Sequence, residues 1–162
     1  MNSRRINELL VTYFYFGRAP IMPGTVGTIG AIPLVFIFSL FGLYGYMVAV
    51  FALAIIGIWG ADQYEQMVQD HDPKEIVIDE VVGFLITMFW LPLTWQSFAA
   101  GFVLFRALDI LKPFPINMID KRAKGGFGTV ADDLVAGVIA NLILQFIYTQ
   151  THWLGAQWAI PK

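Results

Sequence analysis

The chain has 162 residues, 57% of them hydrophobic, with a mean hydropathy of +0.65 and only 14% charged residues, against about 25% charged in ordinary soluble domains. That composition points to a membrane protein forming one domain over residues 1–162, and a net charge of −2 leaves no basic footprint for nucleic acid. With no cysteine and only His71 and His152, disulfides, thiolate metal sites, a cysteine nucleophile and a histidine-rich metal site are excluded.

Charge divides the sequence into three blocks, residues 4–18, 62–80 and 106–133, with no Asp, Glu, Lys or Arg in the stretches between them. The first block opens "MNSRRINELLVTYFYFGRAP". Asn7 and Glu8 interrupt what would be a signal peptide, the apolar run is short, and no A-x-A site follows. The segment is expected to be an uncleaved amphipathic helix lying on the membrane. "IMPGTVGTIGAIP", residues 21–33, is expected to be a Gly/Thr loop entering an apolar helix. Its backbone N–H groups can cradle an anion. It lacks the lysine and spacing of a Walker loop, and glycine turns also enter membrane helices with no ligand at all.

Residues 28–61 are longer than the roughly 20 apolar residues a single span needs. With weak breaks at Gly42 and Gly45 they fit either one tilted span with an interfacial lead-in or a hairpin of two short helices. The acidic block 62–80 follows, holding seven acids and one lysine. It closes on "IVIDEVVGFL", which sets Asp79 and Glu80 against an apolar run. Residues 81–105 are broken by "LPLTWQS", because Pro92 interrupts a helix. Each half is about ten residues, or roughly 15 Å, too short to cross about 30 Å of hydrocarbon. A short hairpin, a bent span or a buried helix pair all fit. Residues 134–149 form a last apolar helix before a Trp-containing interfacial tail.

The basic residues of the blocks 4–18 and 106–133 place both on the cytoplasmic side by the positive-inside tendency. If the acidic block joins them, every apolar stretch must return to its starting side, which favours hairpins. The expected fold is therefore all-α, a compact helical membrane-embedded bundle with short helical hairpins and interfacial segments.

The acids Asp79, Glu80, Asp109, Asp132 and Asp133 border three apolar helices and can converge on one site. Oxygen-only ligands suit a hard cation such as Mg²⁺, and a bound divalent ion would offset the cost of holding these acids near apolar surface. The alternative is helix-end charge. The macrodipole favours acids at a helix start, but by only about 0.3–1 kcal/mol, and "TVAD" makes Thr129–Asp132 resemble a capping box. "DEVVG" and "DLVAG" repeat one pattern: Gly83 lies four residues after Asp79, and Gly137 four after Asp133. Each aspartate shares a helix face with its glycine, so two helices meeting at small residues would present both aspartates to one point. In "FRALDILKPFPI", Arg106, Asp109 and Lys112 recur every three residues, and base–acid–base on one face suits a phosphate beside a metal ion. Pro113 is expected to push Lys112 into an extended conformation. "KGGFGT", residues 124–129, is expected to be a flexible basic turn. Among phosphatase chemistries, the thiol, histidine and D-x-D-x-T aspartyl routes lack their residues. A water activated by a metal is the simplest nucleophile left.

Taken in order, "PGTVGT", "VIDEVVG", "FRALDILKPFPI" and "GGFGTVADDLVAG" make the chain resemble the phosphatidylglycerophosphatase A family over roughly residues 14–148. The resemblance implies an all-α, Mg²⁺-dependent lipid phosphatase of the bacterial inner membrane, hydrolysing phosphatidylglycerophosphate to phosphatidylglycerol and inorganic phosphate at a site facing the cytoplasm. It implies an acidic centre of Asp79, Glu80, Asp109, Asp132 and Asp133, all five as metal ligands, with Asp79, Glu80, Asp109 and Asp133 catalytic. The chemistry adds Arg106, Lys112, Gly24, Thr25 and Thr28 as phosphate contacts and Glu80 as general base. The alternative function is a small ion or proton transporter using the same acids, although those acids sit at span ends rather than mid-span.

Overall fold

The computed structural model describes residues 3–70 and 73–155. Among them the chain is all-helical, with eight α-helices and no strand. The tail beyond residue 155 lies outside the described residues, as do His71 and Asp72.

Helix α1 (Ser3–Val11) is the expected amphipathic arm. It packs on α4 (Gly42–Val68), where Asn7 Nδ2 donates to the Gly60 carbonyl at 3.1 Å and Val11 is fully buried. The "PGTVGT" stretch is not a loop. Helix α2 (Pro23–Gly30) begins at Pro23, whose missing N–H is no loss in a first helical turn. Residues 28–61 form a lead-in followed by one long helix rather than a hairpin of two short ones. A short α3 (Ile32–Ser39) is followed by a break and then by the 27-residue α4. The break falls at Gly42, which holds φ +69°; Gly45 lies inside the helix.

Helix α4 buries Tyr46, Val50, Ala54, Gly57, Ala61 and Glu65, the three-and-four spacing of one helix face. Its other face exposes Met47, Phe51, Ile55 and Trp59. At 27 residues it is about 40 Å long. Helices α4 and α8 (Gly125–Gln150) are both long and apolar enough to cross a bilayer.

Helix α8 starts nine residues before the expected 134. The "KGGFGT" glycines join the helix because tertiary contact overrides their poor propensity. A methyl group on Gly126 would overlap the Ile58 carbonyl and the Asp62 backbone of α4, and Gly126 N–H donates to Asp62 Oδ1 at 3.3 Å. Thr129 therefore lies inside the helix, not at its cap, and the capping-box reading does not hold.

At the centre is α5 (Ile78–Thr87), with eight of its ten residues buried. It ends before Pro92, as expected, and α6 (Trp95–Leu111) resumes after the break. A buried helix end leaves carbonyls without intrahelical partners. Here neighbours supply the donors. Tyr46 OH donates to Leu85 O at 2.7 Å, and Asn141 Nδ2 to Thr87 O and Phe89 O at 2.9 and 2.7 Å. Gln145 Nε2 donates to Phe89 O and Trp90 O, each at 3.0 Å. Helix α7 (Ile116–Arg122) closes the charged end of the bundle.

Candidate active site

The site is built where the N-terminus of α5 crosses α8. The expected meeting of glycines is present. A methyl group on Gly137 would overlap the Gly83 carbonyl oxygen, and one on Gly83 would stand 2.8 Å from the Asp133 carbonyl. Backbone-to-backbone contact brings Asp79 and Asp133 to one point. Carboxylate oxygens of Asp79, Glu80 and Asp133 all lie within 4.8 Å of one another, a spacing one divalent cation can span. Asp79 and Asp133 are buried, and Asp79 Oδ1 also accepts from Glu80 N–H at 3.0 Å. Glu80 Oε2 is buried with no hydrogen-bond partner. Oxygen donors alone, one of them unsatisfied, fit a hard cation.

The other two acids are held by cations. Arg106 Nη1 pairs with Asp109 at 2.5 Å and reaches Glu80 Oε1 at 3.4 Å. Lys112 Nζ pairs with Asp132 at 2.7 Å and also with Asp120. Asp109 and Asp132 thus stand at the site as partners of Arg106 and Lys112, outside the tight three-carboxylate group. Burial pushes the Glu80 carboxyl up, with Arg106 opposing it. Burial alone would lower the Lys112 ammonium, but its bonds to Asp120 and Asp132 outweigh that and hold it raised.

Lys112 is not extended. It holds φ 42°, ψ 57° and its N–H donates to Leu108 O at 2.9 Å. A left-handed residue closes the last turn of α6 while still avoiding the right-handed region that Pro113 disfavours. That turn aims Nζ back at α7 and α8.

These groups surround a cavity of about 290 Å³. All five predicted acids line it, as do Arg106, Lys112 and Gly24. Gly24 is there because α2 passes close to the ion pair; a methyl group on it would overlap Glu80 Oε1 and stand 3.1 Å from Arg106 Nη1. Thr25 and Thr28 are not on the cavity wall. With α2 helical, the Thr28 hydroxyl donates back to Gly24 O at 2.8 Å.

Sequence reasoning missed three residues. Thr129 lines the cavity, and its hydroxyl donates to Glu65 Oε1 of α4, a buried carboxylate. Spacing could have found Thr129, which lies one helical turn before Asp133. Lys74 also lines the cavity; it is the one base inside the acidic block, which was its signal.

An all-helical scaffold with two bilayer-length helices, carrying a carboxylate pocket with two ion-paired cations, defines a class: a helical protein with a charged, carboxylate-rich cavity beside apolar surface. The particular family follows from comparison with known proteins. The family profile described as Phosphatidylglycerophosphatase A matches residues 9–148. The chain is 42% identical over 147 residues to Phosphatidylglycerophosphatase A of Escherichia coli (strain K12), covering 90% of this chain and 84% of that protein. It is 41% identical over 85 residues to Phosphatidylglycerophosphatase A of Haemophilus influenzae, covering 52% of this chain and 50% of that protein. No solved structure gives a significant match. The chain belongs to the phosphatidylglycerophosphatase A family of phosphoric monoester hydrolases.

Proposed function

We propose that this chain is a membrane-embedded, Mg²⁺-dependent phosphatase that hydrolyses phosphatidylglycerophosphate to phosphatidylglycerol and inorganic phosphate. The observation that carries the reading is the convergence of Asp79, Glu80 and Asp133 in a cavity that also holds Arg106 and Lys112. Five carboxylates face three cations on that wall. A phosphate dianion would be repelled unless a further positive charge were present. Asp79, Glu80 and Asp133 are the residues that would hold Mg²⁺, with Asp109 and Asp132 behind them. When bound, the ion would supply Lewis acidity and make a nearby water acidic.

The chain's own groups do the rest. Glu80 Oε2, buried and unpartnered, is the general base that takes a proton from the attacking water. The water oxygen bonds to phosphorus, the bond from phosphorus to the glycerol oxygen breaks, and a proton returns to that oxygen. Arg106 and Lys112 face the phosphoryl oxygens and stabilise their charge. Their existing ion pairs preorganise them for it.

The setting suits a lipid. The charged residues sit at the end of α4 and the start of α8, while both helices expose apolar side chains along the rest of their length. That arrangement supports a cavity at headgroup depth, and the positive-inside tendency supports the cytoplasmic face of the inner membrane. The test is phosphate release from phosphatidylglycerophosphate in detergent micelles, with Mg²⁺ and after chelation. Release is expected with the ion and lost without it. Well-folded protein that releases no phosphate with any divalent ion overturns the proposal.

A further inference from the structure

A second cavity, of about 360 Å³, adjoins the acidic one, and Pro23 and Lys74 line both. Its wall also includes Gly17, Arg18, Tyr64 and Glu75. The backbone here is fixed. Ile76 N–H donates to Pro73 O at 2.9 Å, closing a turn around Lys74, and Val77 N–H donates to Val11 O at 2.9 Å. Gly17 is packed so close that a methyl group on it would overlap the Glu75 carbonyl.

The Lys74 head differs from the other cations around it. Arg106 and Lys112 are tied to carboxylates, and Arg18 pairs with Glu8. Lys74 is exposed and makes no ion pair among the described residues. Beside this second cavity the chain presents an apolar rim. Phe14 and Phe16 precede its Gly17–Pro20 wall, and Ile21 and Met22 follow it, all exposed. Met22 then reaches the acidic cavity. The order along the surface is apolar rim, cavity with the Lys74 ammonium, acidic cavity.

We propose that Lys74 is a specificity-determining residue that binds the phosphodiester of the lipid headgroup in the second cavity while the terminal phosphate occupies the acidic one. This rests on the reading that the chain acts on phosphatidylglycerophosphate, whose two phosphates are joined by a three-carbon glycerol. The diester, carrying one negative charge, meets an ammonium with no carboxylate bond among the described residues, and the acyl ends of the lipid face Phe14, Phe16, Ile21 and Met22. Glu75, on the same wall, opposes the anion, and Arg18 is shared with Glu8. Lys74 therefore supplies the discriminating contact.

The two products separate the two cavities, because phosphatidylglycerol keeps the diester and inorganic phosphate does not. The experiment measures inhibition of phosphatidylglycerophosphate hydrolysis by each product in mixed micelles, for wild type, Lys74→Met, Lys74→Arg and Glu75→Gln. Lys74→Met is expected to raise the inhibition constant of phosphatidylglycerol about ten-fold, the size of a lost charge-assisted contact, with that of inorganic phosphate unchanged. Lys74→Arg restores phosphatidylglycerol inhibition, and Glu75→Gln strengthens it. A Lys74→Met protein whose phosphatidylglycerol inhibition is unchanged, or whose phosphate inhibition weakens equally, overturns the proposal. Wild-type protein that does not hydrolyse the lipid at all strikes the functional reading instead.

Discussion

Gly137→Ala adds one methyl group at the place where two backbones touch. That methyl would overlap the Gly83 carbonyl oxygen, with Gly83 C and Cα at 3.1 and 3.2 Å. None of those atoms is the end of a flexible side chain, so α8 must withdraw from α5 by about 1 Å before ordinary contact is restored. Overpacking of this kind costs about 1–3 kcal/mol, while alanine returns about 1 kcal/mol of helix propensity. The net loss is about 1 kcal/mol, or roughly 2–4 °C in melting temperature for a chain of this length. The effect on turnover is expected to be far larger. The displacement separates Asp133 on α8 from Asp79 and Glu80 on α5, and a misplacement of about 1 Å at a reacting centre costs about 100-fold in rate. The assay is phosphate release at saturating Mg²⁺ alongside thermal unfolding followed by circular dichroism. Gly57→Ala is the control, since its methyl would meet only Ile78 side-chain carbons at 3.3 and 3.5 Å; it is expected to be near neutral in both measurements. Wild-type kcat in Gly137→Ala would refute the argument that this glycine contact sets the spacing of the carboxylates.

Asp79→Asn and Asp133→Asn are each expected to reduce turnover by at least about 1,000-fold, the loss of several kcal/mol of transition-state stabilisation, with helical content by circular dichroism unchanged; substantial activity in either variant removes that residue from the centre. Asn141→Leu keeps the branched shape of the side chain but strips the donor from Thr87 O, while Phe89 O keeps Gln145 Nε2, and is expected to destabilise the fold by about 1–3 kcal/mol, read as a lowered melting temperature with kcat little changed in the protein that remains folded. An unchanged melting point would mean that another donor caps α5.

The parts of the site that were legible in the sequence are those governed by helical spacing. Asp79 with Gly83 and Asp133 with Gly137 share faces by arithmetic alone, and the close approach of the two glycines follows from their size. Arg106, Asp109 and Lys112 likewise read as one functional run. What failed was local conformation at glycine-rich stretches. "PGTVGT" and "KGGFGT" read as loops because glycine is a poor helix former, but Gly24 and Gly126 sit where a side chain would collide with Glu80 or with the α4 backbone. Their reason lies in a partner distant in sequence, which no local rule contains. The same holds for Lys74. Its role depends on a wall made from residues 17–20 and 23, and only the folded chain puts that wall beside it.

The buried acids of α5 are half of a larger problem, and α8 answers both halves. A ten-residue helix sunk in apolar surroundings has two ends that need partners: carboxylates and N–H groups at one, carbonyls at the other. Thr129, Asp133, Gly137, Asn141 and Gln145 follow one another at intervals of four along α8. Residues so spaced form the ridge by which helices pack. From one end to the other, that ridge supplies a hydroxyl at the cavity wall, a carboxylate beside Asp79, the small residue that admits Gly83, and the amides that bond Thr87, Phe89 and Trp90. The amides allow α5 to stop inside the apolar core with its carbonyls bonded. A helix that stops there has its N-terminus at the charged end of the bundle, which is where the acids are needed. On this argument the polar residues deep in α8 and the acids at its start serve one arrangement, and loss of Asn141 acts on α5 at its C-terminal end while loss of Gly137 acts at its middle, where Gly83 sits.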